Sequence, residues 1–217
     1  MTRNAIIMAA GMSSRFAPLS LETPKALLNV KDEIMIERQI GQLREAGIDE
    51  IVIVVGYLKE KFEYLKEKYH VILVENPYYK QMNNFLLCML RENIENTWIC
   101  SADNYFTENV FMEESENAFY ASEYADGATE EWCIKTDNTG KIIGVQIGGE
   151  NAWVMKGHVF FNEKFSTQLL PYLEEGMEAA AIAEKLGDRF KKEDVETSVT
   201  ECKKLQEQGM TFYKRYL

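Results

Sequence analysis

The feature that most constrains the fold lies at the amino terminus, where an apolar strand leads directly into a turn of small residues. The run at residues 4–9 is typical of a buried parallel strand. The turn contains Gly11 and Ser13, and Arg15 and Lys25 bring positive charge after it. A tight loop of this kind can direct its backbone N–H groups at phosphate oxygens, and nearby cations stabilise a bound polyanion. The pattern therefore predicts a phosphate-binding loop after the first strand.

The order of the residues makes this loop more specific than a glycine-rich turn alone. Pro18 follows Arg15 at a short interval, and Lys25 comes directly after Pro24. Two common nucleotide-binding loops are excluded, because the loop has neither the Gly-Lys-Ser/Thr of a Walker A sequence nor Gly-x-Gly-x-x-Gly. An ordinary strand–helix turn with an incidental arginine is the alternative interpretation, and the ordered set of residues disfavours it.

The same residues resemble the N-terminal motif of the sugar-nucleotidyltransferase superfamily, in which Ala-Ala-Gly-x-Gly-x-Arg-x-x-Pro-Leu precedes a Pro-Lys pair. Ser13 occupies the position of the second glycine of that motif. A serine tolerates the turn if its φ is negative, and the departure then weakens the match only slightly.

Strands and helices alternate through the first half of the chain. The pattern predicts strands at 4–9, 51–55, 71–74 and 97–100, and helices at 34–46, 59–69 and 83–91. This alternation predicts a parallel sheet with right-handed crossovers. Ligands of such sheets bind at the carboxyl ends of the strands, so the 11–15 loop should meet Asp103, which follows the fourth strand.

The second half is rich in predicted strands, and its end is helical. The pattern predicts strands at 118–124, 132–136, 141–147 and 153–161, a hairpin turn at 137–140, and helices at 163–174, 177–191 and 199–208. The predicted fold class is α/β, with a Rossmann-like, mixed and mostly parallel sheet flanked by helices, a β-rich part and C-terminal helices. The resemblance implies the nucleotide-diphospho-sugar transferase type of this fold.

Charge and composition limit the partners and the compartment. The chain has 217 residues and a net charge of −11, which disfavours general binding to nucleic acid or to an anionic membrane. A polyanionic ligand therefore needs a local basic site, which the first loop supplies. The four cysteines lack metal-binding spacing and indicate free thiols in a reducing cytosol. We expect a cytoplasmic protein without a secretory signal or a membrane-spanning segment.

Several further segments look like one branch of the superfamily, the CTP:phosphocholine cytidylyltransferases and the related bacterial enzymes that activate 2-aminoethylphosphonate. The resemblance covers residues 3–170 and lies in the segments 3–7, 36–40, 54–60, 83–84, 102–105 and 131–132. It implies Mg²⁺-dependent transfer of CMP from CTP to a small phospho- or phosphono-alkylamine, with release of pyrophosphate. We interpret the chain as a single nucleotidyltransferase domain, 1–217, with a nucleotide-binding half at 1–115 and an acceptor-binding half at 116–217.

Three residues have the chemistry that this transfer needs. Asp103 at a strand end could hold Mg²⁺, with a solvated loop carboxylate or a helix cap as the alternative. Lys25 could neutralise the α-phosphate and the incoming phosphate, and Arg15 could hold the β- and γ-phosphates; exposed surface cations are the alternative. The resemblance implies the same roles for all three residues.

The remaining candidates fall into two sets. Asn83 and Asn84 could contact the base or ribose, or cap a helix, and the two interpretations weigh evenly. The residues expected to bind the nucleotide are Ala9, Ala10, Gly11, Met12, Ser13, Ser14, Arg15, Asn83, Asn84 and Ala102. The residues expected to bind the acceptor are Asp103, Asn104, Glu131, Trp132, Trp153 and Lys156.

The proposed acceptor residues have ordinary structural alternatives. An aromatic face beside a carboxylate, as in Glu131-Trp132, suits an ammonium group, but core packing is the more common fate of a tryptophan. Lys156 could bind the acceptor phosphate, although exposure to solvent is the default for a lysine. A trimethylammonium favours an aromatic cage, whereas a primary ammonium needs about three acceptors. Glu131 beside Trp132 permits either group, so these residues do not decide between the acceptors. The resemblance implies phosphocholine first and 2-aminoethylphosphonate as the alternative, and a homodimer is one of the assemblies that the sequence allows.

The C-terminal third departs from the resemblance. Relatives carry a Tyr-Trp-Glu-Asp-like tract and then a Glu-Phe-Asp-Ser-like segment that supplies a second metal carboxylate, but residues 171–200 contain no tryptophan. Glu196 is the nearest candidate for that ligand, with a solvated glutamate at a helix start as the equal alternative. The departure allows a second class of function, a non-catalytic nucleotide-binding sensor module. The joint presence of Arg15, Lys25 and Asp103 argues against that class.

Overall fold

The computed structural model describes residues 3–13, 16–77, 79, 94–112 and 115–169, together with the backbone of 213–216. The chain divides into two units, Met1–Glu114 and Ser115–Leu217. Within the described ranges, no helix has the length and apolar character needed to cross a membrane. The predicted helices at 83–91, 177–191 and 199–208 lie outside these ranges.

The first unit is built on parallel strands. Its elements are β1 (Asn4–Ala9), α1 (Leu19–Glu22), β2 (Asn29–Val30), β3 (Glu33–Ile34), α2 (Met35–Glu45), β4 (Glu50–Val55), α3 (Tyr64–Tyr69), β5 (Ile72–Glu75) and β6 (Thr97–Ser101). The parallel strands lie in the order β5, β4, β1, β6, and the short strands β2 and β3 form a separate antiparallel pair. β1 is buried along nearly its whole length, which explains its continuous apolar sequence and confirms the predicted first strand.

Helix α2 turns one apolar face to the core and ends where the sequence predicted. Ile36, Ile40 and Leu43, spaced three or four residues apart, have no exposed surface. The chain leaves the helix through Gly47, whose φ of 72° lies in the left-handed region that glycine adopts without steric cost.

The helix predicted at 59–69 is instead two shorter elements. A 3₁₀ helix covers Lys59–Phe62, and α3 follows it. Phe62 in the 3₁₀ helix and Leu65 in α3 are both fully buried, so each element turns one apolar side chain to the core. The predicted helix at 59–69 is therefore interrupted after Phe62 rather than continuous.

The second unit contains one long antiparallel pair where the sequence predicted four shorter strands. Its elements are β7 (Phe119–Thr136), β8 (Ile142–Phe161), a helix α4 at 163–169, and β9 (Tyr213–Tyr216), which pairs in parallel with β7. The glycine-containing stretches of β7 and β8 look like breaks between strands in the sequence, but in the structure these two stretches pair with each other. Thr129 lies opposite Gly149, with register shifts on either side. β-bulges absorb these irregularities, so the prediction of separate strands is wrong, and β9 was not predicted.

The turn between β7 and β8 is confirmed at residues 137–140. The side-chain Oδ1 of Asp137 accepts hydrogen bonds from the backbone N–H groups of Thr139 at 2.9 Å and Lys141 at 3.0 Å. An aspartate that bonds its own following backbone is a turn-forming arrangement. Within the two units, most strand pairings are parallel and the β7–β8 pairing is antiparallel. This mixed, mostly parallel pattern confirms the predicted α/β class.

Gly56, directly after β4, permits a close approach that a larger residue would block. A Cβ there would lie 2.7 Å from the Cβ of Tyr79 and 3.0 Å from the Cβ of Ala10, whereas one on Gly41 in α2 would meet nothing within 4 Å in the part of the chain that the structure describes. Gly56→Ala should therefore lower the free energy of unfolding by about 1–3 kcal/mol. Gly41→Ala should raise it by about 0.5–1 kcal/mol. Urea denaturation measures both changes, and equal losses in the two variants would contradict this packing.

Candidate active site

Two loops leave neighbouring strand ends at the carboxyl edge of the first unit. β1 and β6 pair in parallel, with Met8 opposite Ser101. The N–H of Ala102 continues this pairing by donating to the Met8 carbonyl at 3.1 Å. The loop at 11–13 and the loop at 102–104 therefore emerge side by side, at the edge where sheets of this kind bind ligands.

Asp103 is held through both of its carboxylate oxygens. Lys25 Nζ donates to Oδ2 at 2.8 Å, and Ser101 Oγ donates to Oδ1 at 2.6 Å. Lys25 and Asp103 are separated by 78 positions in the sequence, so the fold alone brings them together. Their side chains remain 34% and 40% exposed, which leaves the pair accessible to a ligand.

The ammonium group of Lys25 is presented from a rigid segment. Lys25 begins a 3₁₀ helix, Lys25–Leu27, directly after Pro24, whose φ is −53°. A proline fixes this angle and so limits the directions in which the following residue can point. The Phe16 ring lies beneath the ammonium, with its centre 5.9 Å from Nζ, a distance typical of a cation–π contact.

The surroundings of Asp103 keep its carboxyl group ionised. Partial burial raises the pKa of Asp103. The hydrogen bonds from Lys25 and Ser101 and the charge of Lys25 lower it by a larger amount, so the pKa lies below its usual value. An ionised carboxylate offers the hard oxygen ligands that Mg²⁺ prefers. The described part of the chain contains no cluster of three or more His, Cys, Asp or Glu residues suited to a metal.

The loop after β1 leaves open space beside Gly11. A Cβ at Gly11 would meet no atom of the described residues within 4 Å, which leaves room for a ligand close to the backbone. Ser13 has a φ of 49°, and its carbonyl accepts a hydrogen bond from the N–H of Phe16 at 2.8 Å. The negative φ that would suit a serine is therefore absent, and this position keeps the left-handed conformation that favours glycine.

The other residues that were predicted to bind the nucleotide either offer mainly their backbone to a ligand or lie outside the described ranges. Ala9 and Ala10 are buried at the end of β1, and Met12 is exposed. Ala102 is buried, and its N–H is already used in the bond to β1. Asn104, which was predicted to bind the acceptor, is half-buried and follows Asp103 directly. The predicted site residues outside the described ranges are Ser14, Arg15, Asn83, Asn84 and Glu196.

The predicted acceptor residues of the second unit lie on β7 and β8. Trp153 is half-buried and packs edge-on against Tyr124, with ring centres 5.2 Å apart. Trp132 is also half-buried, and Glu131 beside it is exposed. These two tryptophans are therefore neither core residues nor fully solvated, and part of each aromatic surface is open to a ligand.

Three residues that the sequence analysis did not single out take part in these arrangements, namely Ser101, Glu123 and Tyr124. Lys156 is paired rather than free, since its Nζ lies 2.5 Å from Glu123 Oε2. Ser101 was detectable, because it directly follows the predicted strand, only two positions before Asp103, and carries a hydroxyl that can donate to a nearby carboxylate. The contacts of Glu123 and Tyr124 depend on the register between β7 and β8, which the sequence did not indicate.

The known proteins to which this chain is similar are nucleotidyltransferases. The family described as the MobA-like NTP transferase domain matches residues 5–128, more than half of the chain. The chain is 34% identical over 192 residues to the choline-phosphate cytidylyltransferase of Streptococcus pneumoniae, covering 88% of this chain and 84% of that protein. It is 38% identical over 175 residues to the 2-aminoethylphosphonate cytidylyltransferase of Lancefieldella rimae, covering 78% of this chain and 71% of that protein.

A solved structure agrees with these sequence similarities. The CTP:phosphocholine cytidylyltransferase of Streptococcus pneumoniae superposes with a TM-score of 0.83 at 31% identity. The superposition covers 100% of this chain and 90% of that one.

Lys25→Met should raise the pKa of Asp103, because it removes both a hydrogen bond to Oδ2 and the adjacent positive charge. Lys59→Met is the matched control, since Lys59 forms a 2.6 Å pair with another carboxylate, Glu75. NMR titration of the Asp103 carboxyl carbon measures the change. An unchanged pKa in Lys25→Met, or an equal rise in the control, would contradict this account of the site.

The same contact gives the stability a defined pH dependence. A carboxyl whose folded pKa is depressed contributes stability above its unfolded pKa of about 3.9 and loses that contribution as the pH falls through the folded pKa. The difference in the free energy of unfolding between wild type and Lys25→Met should therefore be largest near neutral pH and shrink on acidification.

Proposed function

The chain belongs to the family of MobA-like NTP transferase domains, and from this membership we propose that it transfers CMP from CTP to phosphocholine, giving CDP-choline and pyrophosphate. It is an enzyme of the nucleotidyltransferase class. The observation that carries the proposal is the Lys25–Asp103 pair, in which an ammonium suited to phosphate oxygens lies 2.8 Å from a carboxylate suited to a divalent cation. The names of the relatives support CTP as the donor and a phosphorylated or phosphonylated alkylamine as the acceptor.

The proposed reaction brings two negatively charged phosphorus groups together. An oxygen of the acceptor phosphate attacks the α-phosphorus of CTP, a new P–O bond forms, the bond to the bridging β-phosphate oxygen breaks, and pyrophosphate leaves. Lys25 would lie between the α-phosphate and the incoming phosphate and offset their repulsion. Its Nζ must exchange Asp103 Oδ2 for phosphate oxygens to do so, and the partial exposure of the pair permits this exchange.

Asp103 is the proposed ligand for Mg²⁺. A bound Mg²⁺ would supply positive charge that offsets the charge of the phosphates and of the leaving pyrophosphate. Oδ2 of Asp103 would be open to the metal once Lys25 bonds phosphate oxygens, while the hydroxyl of Ser101 would keep Oδ1 oriented. Arg15, as the binder of the β- and γ-phosphates, and Glu196, as a second metal ligand, complete the proposal.

The second unit is the proposed source of acceptor recognition. Trp153 and Tyr124 offer aromatic faces at the surface, and Trp132 stands beside the exposed Glu131. Aromatic faces bind a trimethylammonium, which cannot donate hydrogen bonds, and this favours phosphocholine. A primary ammonium would depend instead on acceptors such as Glu131, so 2-aminoethylphosphonate is the alternative substrate.

Lys156 is a weaker candidate for the acceptor phosphate than the sequence suggested. It would have to give up its ion pair with Glu123 to bind that group. The non-catalytic sensor alternative is set aside, because the relatives are named as transferases and the Lys25–Asp103 pair is intact.

Pyrophosphate release with Mg²⁺ and CTP tests the proposal directly. Phosphocholine, 2-aminoethylphosphonate and glucose 1-phosphate are compared as acceptors, with UTP in place of CTP as the nucleotide control. Phosphocholine should give a kcat/KM at least about tenfold above the other two, and chelation of the metal should stop turnover. A preference for 2-aminoethylphosphonate would select the alternative substrate. Turnover with glucose 1-phosphate alone, or with UTP but not CTP, would overturn the proposed function.

A further inference from the structure

The segment that carries Asp103 is tied to α2 by the buried side chain of Gln39. Gln39 Nε2 donates to the carbonyl of Ser101 at 3.0 Å and to the carbonyl of Asn104 at 3.4 Å. Ser101 is the last residue of β6, and Asn104 lies beyond the strand without regular secondary structure. The Ser101 carbonyl also accepts a bond from the N–H of Asn104, but at 3.4 Å this main-chain bond is longer than the bond from Gln39. The side-chain amide of Gln39 therefore adds a shorter bond to Ser101 and a bond to the carbonyl of Asn104.

The two bonds of Gln39 lie on either side of Asp103. Ser101 precedes Asp103 by two positions, and Asn104 follows it directly. The hydroxyl of Ser101 also donates to Asp103 Oδ1, so one fixed main-chain segment carries both the carboxylate and the hydroxyl that orients it. A displacement of this segment would move both groups together.

The burial of Gln39 is also energetically unfavourable. Only 1% of its surface is exposed, and its Oε1 has no hydrogen-bond partner among the described residues. A buried amide oxygen without a partner is unfavourable, and an apolar side chain of similar size would avoid this cost. The donor function of the amide therefore explains the presence of glutamine better than packing does.

We propose that Gln39 is a positioning residue, which fixes the main chain on both sides of Asp103 and thereby sets the place of the carboxylate that receives the metal. Groups that orient a ligand from behind typically influence metal affinity strongly. The kinetic part of this inference rests on the proposed function, whereas the structural part does not.

Gln42, three residues further along α2, provides a matched control. It is 6% exposed, its Oε1 also lacks a partner among the described residues, and its Nε2 also donates to two main-chain carbonyls. Those carbonyls belong to Phe106 and Glu108, beyond Asp103. Gln39→Met and Gln42→Met therefore remove the same chemistry from the same helix, but only Gln39→Met releases the main chain around the carboxylate.

The experiment compares both variants with wild type by electron paramagnetic resonance of Mn²⁺ in the presence of CTP and without an acceptor. Gln39→Met should weaken Mn²⁺ binding by about 10- to 100-fold, whereas Gln42→Met should remain within about twofold of wild type. Turnover should follow the same order, with kcat falling in Gln39→Met by more than KM for CTP rises. Crystal structures of both variants give a readout that needs no activity, and the Asp103 carboxylate should be displaced only in Gln39→Met.

Equal Mn²⁺ affinity in the two variants, or an Asp103 carboxylate that stays in place in Gln39→Met, would overturn the inference. If Gln39→Met does not fold, Gln39→Asn takes its place, because it keeps a buried amide that is too short to reach both carbonyls. Wild-type affinity in a folded Gln39→Asn would then refute the positioning role. Failure of wild type to bind Mn²⁺ with CTP would instead refute the proposed function, and the displacement in the crystal structures would still decide the role of Gln39.

Discussion

The arrangement of the first unit depends on the parallel pairing of β1 with β6. This pairing places the loop after the first strand beside the loop that carries Asp103, although 78 positions separate Lys25 from Asp103 in the sequence. The central position of β1 between β4 and β6 fixes both loops at one edge. A cation and an anion then meet at 2.8 Å on a frame of buried strands, as a site for a charged ligand requires.

This ion pair is better explained by chemistry than by stability. Both partners are more than a third exposed, and exposed pairs contribute little to the free energy of unfolding. The pair instead keeps the carboxylate ionised and holds a positive charge close to it, in a chain whose net charge is −11. A local cation of this kind allows a strongly acidic protein to accept a polyanion.

The sequence predicts an element correctly where the signal lies in residues that are neighbours in the chain. The apolar strand at 4–9, the helix followed by Gly47 and the turn at 137–140 each have a local signal, in periodicity or in turn chemistry. The long β7–β8 pair was divided wrongly, because bulged strands contain residues that look like loops. The sequence assigns no role to Gln39, because a glutamine on a helix normally lies in solvent and only the tertiary structure reveals its hydrogen-bond partners. The left-handed φ of Ser13 was equally hidden, because the residue type argues against it.

The most direct test of the account is the steady-state rate of pyrophosphate release by Lys25→Met at saturating CTP and acceptor. Lys59→Met serves as the reference, because it removes a lysine from a different ion pair with a carboxylate. If Lys25 offsets the repulsion between the reacting phosphates, kcat should fall by about 10²- to 10³-fold in Lys25→Met and stay near wild type in Lys59→Met. A kcat in Lys25→Met that matches the reference variant would show that the Lys25–Asp103 pair is not the reaction centre.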